Sequence, residues 1–100
     1  MKVVWSPLAI ERAAEIAELI AADRPSAAEK WLDALFGATE RLGVFPESGR
    51  VVPELQRSDL REVIHKDYRI IYRIDSEAVS MMTVRHSRQL TTVSDLPNRA

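Results

Sequence analysis

The residues of this chain with the most chemical potential are Arg61, Arg69, Arg73, Arg85 and His86. All lie within LREVIHKDYRIIYRIDSEAVSMMTVRHSRQ, residues 60–89. A guanidinium matches the oxygens of phosphate or carboxylate bidentately, and an imidazole titrates near neutrality. Strand side chains alternate between faces, so arginines recurring in such runs place cations on a pleated surface. Metal-free cleavage of a phosphodiester needs a base, an acid and cations for the phosphorane. Arg69, Arg85 and His86 are the candidates for that work, with Arg61 as a further phosphate contact. A second possibility is that the sheet meets an anionic partner. A third is plainly structural: a solvated sheet face whose arginines pair with Glu62, Asp67 or Glu77, as is common on half-exposed strands.

Other chemistries find little support. His65 and His86 have no partner at helical ligand spacing and no carboxylate cluster beside them, so no metal site is expected. The three glycines are isolated and form no phosphate-cradling loop, and no nucleophile-elbow pattern occurs. No cofactor is expected. The absence of cysteine removes disulfides and thiolate ligands. No apolar stretch suffices to span a bilayer, and Glu11, Arg12 and Glu15 interrupt any signal-peptide core. A cytosolic protein without membrane attachment is the expectation.

The net charge of −1 conceals an asymmetry. Residues 1–56 carry six Lys/Arg against nine Asp/Glu, whereas residues 57–88 carry seven against five. That basic bias is too weak for a dedicated nucleic-acid binder. Trp5 and Trp31 read as packing residues, and alternation turns Tyr68 and Tyr72 away from the neighbouring arginines toward the core, against a base-stacking platform.

One hundred residues suffice for a single domain with one modest core. Lys2–Trp5 reads as a short strand. Ser6 is a fitting N-cap and Pro7 a fitting first helical residue. A helix over 8–22 follows, with Ile10, Ala13, Ala14, Ala17, Ile20 and Ala21 as its apolar stripe. Asp23–Arg24–Pro25 breaks it. The next helix opens on either a Ser26/Glu29 capping box or Pro25, carries Ala28, Trp31, Leu32, Leu35, Ala38 and Leu42, and stops at Gly43. Residues 45–55 read as loop. Strands are predicted over 60–64, 68–75 and 78–86, and a polar tail from about residue 87 as extended or frayed. The fold class is α+β, of order β-α-α-β-β-β: an antiparallel helical hairpin packed on a small, mainly antiparallel sheet.

These pieces resemble the RelE/ParE superfamily of bacterial type II toxins, and within it the ParE branch. VVWSPLAIERAAEIAELIA, PSAAEKWLDAL, FPESGRVVPEL, LREVIHKDYRIIYRI and TVRHSRQ carry the likeness by their order and spacing. The resemblance implies a toxin neutralised by a co-encoded antitoxin whose flexible C-terminal segment wraps it. RelE-like members cut mRNA on the ribosome; ParE-like members block DNA gyrase and have no established nuclease site. Arg69 matches the central-strand arginine of the nucleases, and Arg85 and His86 fall near positions used by some. The chain departs from the nucleases in lacking a lysine cluster. It also lacks a tyrosine after the last strand, where Ser87–Arg88–Gln89 stands.

The expectation is therefore a ParE-like toxin that inhibits gyrase by protein–protein contact, arrests growth and stabilises plasmids. A ribosome-dependent endoribonuclease is the alternative, and a non-toxic antitoxin-binding module a third reading. A ParD-like antitoxin is expected on Arg61, Arg69, Arg73 and Arg85, forming a hetero-oligomer. Gyrase is expected on Ser87, Arg88 and Gln89 and on the exposed face of the helical hairpin, with no direct DNA binding by the toxin alone.

Overall fold

A computed structural model of the chain describes residues 1–97. Its order is β1 (Lys2–Trp5), α1 (Pro7–Asp23), α2 (Pro25–Glu40), β2 (Arg50–Val51), β3 (Leu60–His65), β4 (Tyr68–Ile74) and β5 (Ala78–His86). The five strands form one sheet in the order β1-β5-β4-β3-β2, and the helical hairpin packs on one of its faces. All pairings are antiparallel except that of β1, which runs parallel to β5.

Ser6 starts α1 as its sequence predicts. Its hydroxyl accepts from the Ala9 N–H at 3.0 Å and donates to the Met82 carbonyl at 2.9 Å, fully buried. One side chain thus caps the helix and ties it to β5. Ser6→Ala is expected to lower stability by about 1–2 kcal/mol, read as a shift of the urea midpoint.

Ala13 and Ala17 are buried and Ile20 packs on the core as expected, but Ala9 and Ile16 complete the stripe of α1, and Ile10 is 56 % exposed. Alanine recurs on both sides of this helix, so its spacing defines the stripe's direction poorly. The small side chains at Ala9 and Ala13 are the ones that let the backbone approach the sheet. In α2, Pro25 is the first helical residue and Arg24 alone links the helices, so the Ser26/Glu29 capping box does not form. Ala28, Trp31, Leu35 and Thr39 are buried, and Trp31 meets Tyr68 edge-on at 5.6 Å.

Two regions depart from their loop and tail readings. Arg50–Val51 pairs with β3 and becomes an edge strand two residues long, too short to show alternation. Residues beyond β5 fold back across the sheet and include a turn of 3₁₀ helix, Val93–Asp95, closed by reciprocal Thr92 and Asp95 bonds. Residues 98–100 of the predicted tail lie outside the described part.

Opposed residues on paired strands share a face, so the register sorts the side chains. Tyr68, Ile70, Tyr72, Val63, Met81 and Val84 join the helix-side core. Leu60, Glu62, Arg69, Ile71, Arg73 and Thr83 occupy the far face. A bulge where Ile71 and Tyr72 oppose Thr83 and Met81 makes Met82 the extra residue. It lets Met81 and Val84, three apart, both point at the helices.

Candidate functional site: the far face of the sheet

Arg69 sits in the centre of the far face on β4, only 4 % exposed. Its Nε donates to Glu62 Oε1 at 2.7 Å, and Nη2 lies 2.6 Å from the same oxygen. Nη1 and Nη2 form a fork on Glu54, at 2.7 and 2.8 Å, and Nη1 also donates to the Gln89 carbonyl at 2.9 Å. A guanidinium has five N–H donors, and these contacts absorb its capacity. Glu62, whose side chain is wholly buried, is held from the other side by Arg50 Nε at 2.6 Å. Arg50, Glu62, Arg69 and Glu54 thus form a chain of alternating charge that is neutral as a whole.

The bonds to Glu54 and then to buried Glu62 raise the Arg69 pKa above the usual arginine range, against the opposing effect of burial. The Arg69 fork holds Glu54 down, from an ordinary 4.5 to about 2, against the opposing effect of burial. The Thr91 N–H, donating to Glu54 Oε2 at 2.9 Å, acts in the same direction. A carboxyl depressed on folding stabilises the folded state above its unfolded pKa and loses that contribution as pH falls through the folded one. Stability is accordingly expected to decline between pH 4.5 and about 2. Glu54→Gln should flatten that part of a pH series of denaturation midpoints; an equally steep decline in the variant would assign it elsewhere.

The other expected site residues are dispersed. Arg61 opposes Tyr72 and so belongs to the helix-side face, away from Arg69, Arg73 and Arg85. Its guanidinium is spent on the Ser58 and Gly49 carbonyls, each at 3.0 Å. Arg85 opposes Arg69 directly, donates to the Leu90 carbonyl at 3.1 Å and approaches Asp95 at 3.4 Å. Arg73 is half-buried with no side-chain hydrogen bond among the described residues. Ser87, Arg88 and Gln89 form an exposed turn.

His86 opposes Tyr68 on the helix-side face, with the rings edge-on at 5.7 Å, and its Nδ1 accepts from the Arg88 N–H at 3.2 Å. Arg69, Arg85 and His86 therefore do not converge. Adjacent residues of one strand point opposite ways, which separates Arg85 from His86, and Arg69 is already neutralised. His86 instead borders a groove of about 400 Å³ between α1 and the end of β5, floored by Ile16, Leu19 and Val84.

The sequence reading anticipated Glu62 as an arginine partner but placed the pair on a solvated face, whereas it is buried. It missed Glu54 altogether. Glu54 lies in a loop fifteen residues before Arg69, and no periodicity reports such a contact. Among the described residues no group of three or more His, Cys, Asp or Glu could hold a metal ion. No described helix is long and apolar enough to cross a membrane.

Comparison with known proteins accords with this architecture. Residues 3–91 match the family model described as ParE toxin of type II toxin-antitoxin system, parDE. A solved structure described as the chromosomal ParDE TA system from P. aeruginosa superposes with a TM-score of 0.73 at 13 % identity. That alignment covers 86 % of this chain and 95 % of the other, a likeness of fold. No curated protein matches the sequence.

Proposed function

We propose a function from one premise: the chain belongs to the ParE toxin family of type II toxin–antitoxin systems. On this reading the protein acts in the bacterial cytoplasm. It inhibits DNA gyrase by protein–protein contact, arrests growth and is neutralised by a ParD-like antitoxin in a hetero-oligomer. Such a module, encoded on a plasmid, would stabilise it. What supports a binding toxin over a nuclease is the internal use of Arg69. Its five donors face Glu54, Glu62 and the Gln89 carbonyl, and His86 points to the opposite side of the sheet.

The antitoxin surface narrows accordingly. Of the four expected arginines, Arg73 and Arg85 are the two on the far face that are not buried, and an acidic antitoxin segment is proposed to meet them. Arg61 and Arg69 act indirectly, by holding the loop and sheet in shape. The exposed turn Ser87–Arg88–Gln89 and the outer face of the helical hairpin are the proposed gyrase contacts.

The test is a pair of assays on purified protein: gyrase supercoiling, and mRNA cleavage on translating ribosomes. Inhibition of supercoiling, relieved by antitoxin and without mRNA cleavage, is the expected result. Codon-positioned cleavage that His86→Ala abolishes would overturn it.

A further inference from the structure

The helices cover one face of the sheet, yet Leu60, Ile71, Met82 and Thr83 on the other face are as deeply buried. Part of their cover is the segment after β5. Val93, Leu96 and Pro97 share a small cleft with Leu60 and Met82. This segment is held to the sheet chiefly by polar contacts. Arg69 and Arg85 donate to the carbonyls of Gln89 and Leu90, the Thr91 N–H donates to Glu54, and Asp95 pairs with Arg85. Its apolar anchoring is partial: Leu90 is 77 % and Val93 61 % exposed, Leu96 and Pro97 are half-buried, and the one fully buried side chain of the segment is Thr91.

The segment is also internally braced. The Thr92 N–H donates to Asp95 Oδ2 at 2.8 Å, and the Asp95 N–H returns to the Thr92 carbonyl at 3.0 Å. A short braced piece with few apolar anchors opens at lower free energy than a core strand. Its root, Ser87–Arg88–Gln89, is exposed.

We propose that residues 90–97 form a strap that opens as a unit about the Ser87–Gln89 turn, uncovers the apolar sheet face at Leu60 and Met82, and is clasped shut by the Glu54 carboxylate. Glu54 is the natural clasp because it bonds at once to the sheet, through Arg69, and to the strap, through Thr91. Arg85 supplies the second attachment. The inference stands apart from the identity of the toxin's target.

Amide hydrogen exchange on the full chain tests it. In the unaltered protein the amides of residues 90–96 should exchange faster than those of β4 and β5. Glu54→Gln weakens the clasp, and Thr91→Pro removes the strap's N–H, along with the buried Thr91 side chain and its free φ, and leaves the Arg69–Glu54 fork in place. Each should accelerate strap exchange by about tenfold or more, the effect of losing a charge-assisted hydrogen bond, with β4 and β5 unchanged. A rise in binding of an apolar dye should accompany it. Strap amides that exchange in step with β4 and β5 would overturn the proposal, because the segment would then belong to the core. So would acceleration in neither variant, or in Glu54→Gln alone, since the Thr91 bond would then not be the clasp.

Discussion

Arg69→Met is expected to cost about 3–5 kcal/mol of folding free energy, because it leaves the buried Glu62 with half its counter-charge and Glu54 with none. Against a net stability of about 5–15 kcal/mol for a small domain, much of the variant would unfold under mild denaturant. The companion experiment is Arg69→Met with Glu62→Leu. Exchanging both members of a buried pair for apolar groups is often nearly neutral. Arg50, whose side chain is 60 % exposed, can return to water at little cost. The double variant should therefore recover most of the loss, and the difference between single and double variants measures the coupling. A single-variant cost below about 1 kcal/mol, the range of surface pairs, would refute the buried assignment. Charge reversal at Arg69 consequently says little about antitoxin binding, since it breaks the toxin's own core first.

Gly49→Ala is the second large effect. The backbone φ there is −78°, which any residue adopts, so the constraint is space. A Cβ would lie 2.6 Å from the Glu62 carbonyl oxygen, which is backbone in a paired strand, and would also collide with the Tyr72 hydroxyl. The loop must shift, and several bonds go with it. These are the Gly49 N–H to Tyr72 Oη at 3.0 Å, the Tyr72 hydroxyl to the Pro46 carbonyl at 2.6 Å, and Arg61 to the Gly49 carbonyl at 3.0 Å. Overpacking of this kind costs about 2–3 kcal/mol. Adding Tyr72→Phe relieves the hydroxyl clash but not the one with the Glu62 carbonyl, so it should not restore the midpoint. Full recovery would locate the obstacle in the hydroxyl instead.

Both positions illustrate what local pattern can convey. The period-2 runs of β3, β4 and β5 and the cap at Ser6 are visible because each depends on residues a few positions apart. Alternation also turned Tyr68 and Tyr72 toward the helices correctly. It could not show that the opposite face is covered, since the cover comes from the Glu54 loop and the segment beyond β5. Those are placed by contacts such as Thr91 to Glu54, thirty-seven residues apart. Arg69, which looks solvent-facing when read along β4, is therefore drawn inward by carboxylates from other elements. β2 escaped notice for a simpler reason, being two residues long.

The parallel seam between β1 and β5 has a consequence in time. β1 precedes both helices, yet among the described residues its one sheet partner is β5, and the neighbouring Ser6 bond to Met82 spans 76 residues. Closing so wide a loop costs entropy that local contacts must first offset. During synthesis the helical hairpin can leave the ribosome while β1 still has nothing to pair with. A chain halted before β5 can pair β2, β3 and β4, but β1 stays unpaired and Ser6 lacks the Met82 carbonyl. The central strand is thus among the last elements made, and β1 is sealed into the sheet only after it.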